Sequence, residues 1–91
     1  MLSDKVIWEK ACNSIKQYVN DASFQSWIEP LKLVAVDRQS YQITVEVPDD
    51  FSREWVQTRY APVFNGIIKD ILNNDHYQVS FIVNNKANLL N

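Results

Sequence analysis

Few residues in this chain of 91 can do covalent or metal chemistry. There is one histidine, His76, and one cysteine, Cys12. A serine or cysteine triad needs a histidine base, and His76 follows Asn73, Asn74 and Asp75 in what reads as a turn. A zinc centre draws several ligands from cysteine and histidine, and one of each is too few. The single glycine, Gly66, cannot build a phosphate-cradling loop. Asp49 and Asp50 form a carboxylate pair, yet aspartates at a helix start serve first as caps for free backbone N–H groups. Cys12 falls on the apolar face of a helical pattern and reads as a small core residue. No catalytic site, metal or cofactor is expected in this domain.

The surplus lies in aromatic side chains: three tryptophans, four tyrosines and four phenylalanines. Trp27, Trp55, Phe64 and Phe81 fit the apolar stripes of their elements and are expected in the core. Trp8 and Phe51 fall near helix starts, where the rest of a small domain covers least. A half-exposed aromatic there suits a protein-contact anchor. It equally suits a cap on the core edge, and base stacking is a third reading. The charge balance of 9 basic and 11 acidic residues, net −2, lacks the broad basic footprint of a nucleic-acid binder. Arg53 and Arg59 are the residues a weak single-stranded DNA contact would use.

The elements that position these residues follow from periodicity. Ser3 is a candidate N-cap, and Trp8, Ala11, Cys12, Ile15, Tyr18 and Val19 recur at helical spacing, predicting a helix from about Asp4 to Val19. Asp21 or Ser23 caps a second, short helix carrying Phe24, Trp27, Ile28 and Leu31, which ends at Pro30. Leu31–Val36 and Tyr41–Val47 read as strands joined by a turn at residues 37–40, a β-hairpin. A helical pattern starts after Asp49-Asp50, is interrupted at Pro62 and resumes to Leu72. One kinked helix or two abutting helices are expected, because an interior proline removes a hydrogen bond and clashes with the preceding turn. Tyr77–Val83 alternates as a third strand, and residues 84–91 read as the start of a linker. The fold class is α+β: three strands with the helices packed on one face, a two-layer domain spanning residues 1–83.

Forty-six per cent apolar and 22% charged residues suit a folded domain. With one cysteine no internal disulfide forms, which favours a reducing compartment. The N-terminus lacks the apolar run of a signal peptide, and no window of about 18 apolar residues exists to span a membrane. The cytoplasm is the expected location.

Two segments, Ser23-Phe24-Gln25-Ser26-Trp27-Ile28-Glu29-Pro30-Leu31 and Pro48-Asp49-Asp50-Phe51-Ser52-Arg53-Glu54-Trp55-Val56, are followed by Arg59-Tyr60. In this order and spacing, behind the helix that bears Trp8, they resemble the N-terminal domain of bacterial DnaA, the chromosomal replication initiator family. The resemblance covers residues 4 to about 83. It implies a KH-like order of α-α-β-β-α-β, without the GXXG loop by which KH domains clamp nucleic acid. It also implies a docking domain that recruits the replicative helicase, binds initiation regulator proteins and self-associates weakly. By position, Ser23, Asp49, Phe51 and Ser52 would carry the helicase and regulator contacts, and Trp8 the self-association. Some family members carry an acid where Ser23 stands, and many carry asparagine where Asp49 stands. ATP hydrolysis and origin binding belong to later domains of the family. Two alternatives are a weak single-stranded nucleic-acid-binding module and the related domain of another replication protein, such as a clamp-loader subunit.

Overall fold

Ser3 opens the first helix: its Oγ accepts the Val6 N–H at 3.2 Å, satisfying one of the free donors of the first turn. The computed structural model describes residues 2–83, and the expected linker at residues 84–91 lies outside them. Helix α1 spans Asp4–Ile15 and buries Ile7, Ala11 and Ile15, a stripe with a four-residue repeat. It is four residues shorter than its apolar pattern predicts. After Ile15 the bonds tighten, with Gln17 N–H donating to Ser14 O and Tyr18 N–H to Ile15 O. These are 3₁₀-type i→i+3 bonds. The tighter winding takes Tyr18 off the stripe and leaves it exposed.

The second helical segment has two parts. Asn20, rather than Asp21 or Ser23, is its cap: Asn20 Oδ1 accepts the Ser23 N–H at 2.7 Å. The short α2 (Asp21–Ser23) then runs into a π-helical segment, Phe24–Ile28. Its defining bond runs from Glu29 N–H to Phe24 O at 2.9 Å, five residues apart.

Strands β1 (Lys32–Asp37) and β2 (Gln42–Val47) form the expected antiparallel hairpin. Its turn is closed by Asp37 Oδ1, which accepts the N–H groups of Gln39 and Ser40. Tyr41 completes it in the left-handed region at φ 59°, just outside the strand it was expected to begin. The pairing register shifts between Leu33 and Ala35. This bulge leaves Val34 exposed on the edge strand. Strand β3 (Gln78–Val83) pairs with β2 in parallel, giving a mixed sheet of order β1-β2-β3. A parallel pair needs a long crossover, and two helices supply it.

Those helices are α3 (Asp50–Arg59) and α4 (Ala61–Leu72). The chain splits at Tyr60, whose φ of −113° departs from helical geometry. Pro62 then sits in the first turn of α4, where a missing N–H costs nothing. All helices lie on one face of the sheet. The core joins Ile7, Ala11 and Ile15 of α1, Val56 of α3, Phe64, Ile67 and Ile68 of α4, and Ile43, Val45 and Val47 of the central strand. Val79 and Phe81 of β3 close it, and no polar side chain is buried among the described residues. The observed order is therefore helix, helix, strand, strand, helix, helix, strand in two layers.

Candidate protein-docking site

Helix α3 buries only Val56 completely. Trp55, next to it in sequence, must point elsewhere, since neighbouring residues on a helix lie about 100° apart. Its ring packs against Trp27, which the π-helical segment presents, with centroids 4.9 Å apart and planes 19° from parallel. Phe51, one turn before Trp55, stands edge-on to both rings, at 5.9 Å from Trp27 and 6.4 Å from Trp55. These are favoured geometries for aromatic rings, whose edges are positive and faces negative. Phe51 is nevertheless 63% exposed. The Arg59 guanidinium lies over the Trp55 ring at 4.1 Å from its centroid, a cation–π contact.

Phe51, Glu54, Trp55, Thr58 and Arg59 line an open groove of about 300 Å³ along α3. Its floor is aromatic and its rim is charged. Arg53 is only loosely held, 3.7 Å from Asp50, and Arg59 and Glu54 form no ion pair among the described residues. The Trp55 Nε1 donor is buried at the base without a hydrogen-bond partner. A buried donor left unsatisfied is an unfavourable feature worth roughly 1–3 kcal/mol.

Asp49 fixes the start of this face. Its Oδ1 accepts the Ser52 N–H at 2.7 Å. Bonding to the Ser52 backbone and side chain holds the Asp49 carboxyl below its ordinary range. Asp49 and Ser52 thus form the cap that orients Phe51 between them, while Ser23 ends α2 four residues before Trp27. Trp8 stands apart. It is partly buried, and its ring stacks on Phe64 at 5.1 Å.

Two residues differ from the expectation that they fill the core. Trp27 and Trp55 are only partly buried, and they form the floor under Phe51. The signal for this is the pair Trp55-Val56: one helix face cannot bury both. Arg59 is a further member of the face, one turn beyond Trp55. His76 lies exposed beside Asp75, at 3.9 Å. Among the described residues no three histidine, cysteine or acidic side chains gather to hold a metal ion, and no helix is long and apolar enough to cross a membrane.

The model of the DnaA N-terminal domain family matches residues 5–77. The chain belongs to the DnaA N-terminal domain family. It is 32% identical over 81 residues to the chromosomal replication initiator protein DnaA of Geotalea daltonii, covering 89% of this chain and 18% of that protein. The initiator DnaA of Citrifermentans bemidjiense is 31% identical over 77 residues, covering 85% of this chain and 16% of the relative. The match to DnaA of Geobacter sp. strain M21 has the same extent. The chain thus spans less than a fifth of the length of these DnaA relatives. The matched region includes every residue of the Phe51 face, and Trp8 with it.

Proposed function

We propose that this domain is a non-catalytic docking module of a cytoplasmic replication initiator, and that its contact face is centred on Phe51. The replicative helicase and initiation regulator proteins are the proposed partners. One observation carries the reading: a phenylalanine is held 63% exposed by two tryptophans that pack beneath it. The exposed part of the ring, almost two-thirds of it, contributes no burial to the monomer. Interfaces concentrate their binding energy in such anchors. The rim supports the same reading, because Arg53, Glu54 and Arg59 offer charges of both signs around an apolar centre, the usual anatomy of a protein contact.

Single-stranded DNA is the rival ligand, through Arg53 and Arg59. The packing weighs against it. Trp27 and Arg59 already lie over the Trp55 ring, leaving little of its π surface for a nucleobase.

The test is amide-shift mapping of this chain on titration with the N-terminal domain of the replicative helicase. Shifts should concentrate at residues 49–59 and around Trp27. Shifts confined to the outer face of the sheet, or none at millimolar helicase domain, would sink the proposal. A parallel titration with single-stranded DNA at low and moderate salt should give weak, salt-sensitive shifts at most.

A further inference from the structure

Trp55 Nε1 is the one buried side-chain donor or acceptor left without a partner among the described residues. Buried polar groups are nearly always hydrogen-bonded in folded proteins, so this exception calls for a reason. A second donor lies close by. The Arg59 guanidinium rests over the same ring, 4.1 Å from its centroid, and carries several N–H groups in a planar fork. Arg59 is exposed. It makes no ion pair among the described residues, although Glu54 lines the same groove. An indole N–H and a guanidinium thus meet at one ring, neither held by a carboxylate. Phe51, Trp55 and Arg59 recur at four-residue intervals and so share one stripe of α3. Phe51 and Arg59 stand about 12 Å apart along the helix axis.

We infer, building on the Phe51 docking reading, that Arg59 and Trp55 Nε1 together receive a carboxylate of the partner protein. The aspartate or glutamate that supplies it stands about 12 Å from the apolar residue that covers Phe51. In the free domain this receptor is closed, with Arg59 on the ring and Nε1 buried. An incoming carboxylate draws the guanidinium off the ring into a charge-assisted, two-pronged pair. That movement opens the edge of the indole, and Nε1 donates to a carboxylate oxygen. No ion pair within the described residues has to break first. A partner with an apolar group at this position leaves both donors unmet in a desolvated contact, and the cost discriminates against it. Charge also favours a single carboxylate over a nucleic-acid strand. Asp50 and Glu54, on either side of Phe51, are exposed acids, and they repel a polyanion laid along the groove.

Titration of the chain with the N-terminal domain of the replicative helicase tests it through the indole N–H signals of the three tryptophans. The Trp55 signal should move downfield at saturation, as its missing hydrogen bond forms, while the Trp8 signal stays in place. Calorimetric titration then compares variants shown by circular dichroism to be folded. Arg59→Gln removes the charge, and Trp55→Phe removes the donor while keeping an aromatic ring. Each should weaken binding about tenfold or more. Arg59→Lys keeps the charge without the planar fork and should fall between Arg59→Gln and wild type. Raising salt should weaken wild-type binding more than that of Arg59→Gln. Suppose Phe51→Ala loses affinity, yet the Trp55 signal stays fixed or Arg59→Gln and Trp55→Phe bind like wild type. The inference is then overturned and the docking reading survives. A helicase domain that fails to bind, or that binds Phe51→Ala like wild type, overturns both. A Trp55 indole shift produced by single-stranded DNA and not by the helicase domain also overturns the inference.

Discussion

Replacing Phe51 by alanine tests the proposed docking face, and the exposure of the ring sets the expected magnitudes. An aromatic side chain has roughly 200 Å² to bury. With 63% of Phe51 exposed, folding covers about 75 Å², worth at most ~2 kcal/mol at about 25 cal/mol per Å². The melting temperature should fall by about 16 °C at most, and the chain should stay folded at 25 °C. A partner that covers the remaining ~125 Å² gains about 3 kcal/mol from this one ring. Its loss weakens binding by a factor of roughly 150. Calorimetric titration of the helicase N-terminal domain into wild type and Phe51→Ala measures the difference, with circular dichroism confirming the fold. A folded variant that binds within threefold of wild type refutes the docking face, because no other exposed ring stands at its centre.

Other outcomes follow from the packing and the caps. Phe64→Ala removes a fully buried ring from beneath Trp8 and should cost about 3–5 kcal/mol in urea unfolding, with a change in Trp8 emission. Asn20→Ala removes the α2 cap and should cost about 1 kcal/mol in the same assay. Asp49 and Asp37 have carboxyl pKa values lowered by N–H bonds at Ser52 and at Ser40 and Gln39. Their stabilisation is present above the unfolded carboxylate value of 3.8 and is lost as pH falls through the lower folded value. The stability gap between wild type and Asp49→Ala, by urea unfolding, should therefore be steady at pH 5–7 and shrink below pH 4. Burial pushes the Cys12 thiol up to about 11, so its reaction with a disulfide reagent at pH 8 should be far slower in the native chain than in urea.

Much of this architecture can be read from residue patterns because the determinants are local. The Ser3 and Asp49 caps, the alternation of Ile43, Val45 and Val47, and the break near Pro62 each involve neighbours within one element. What escapes such reading depends on partners distant in sequence. The parallel pairing of β3 with β2 is set by how α3 and α4 cross the sheet, and no period within residues 78–83 encodes it. The end of α1 is decided by a tightening of backbone bonds after Ile15, while the apolar spacing runs on to Val19. At the proposed docking face, Phe51 stands out from its place at a helix start. Trp27 and Trp55 do not, because a tryptophan in an apolar stripe looks the same whether it fills a core or floors a groove. Their role depends on a contact between segments about thirty residues apart.

The π-helical turn at residues 24–28 bears on how this surface can diverge. A π turn amounts to one residue inserted into an α-helix. Removing that residue would restore i→i+4 bonding and rotate one side of the segment against the other by about 100°. Trp27 would then swing away from Trp55, and Phe51 would lose half of its support. The aromatic floor is therefore governed by chain length in this segment as much as by residue identity. A relative that keeps every aromatic residue but is one residue shorter here would present a different surface.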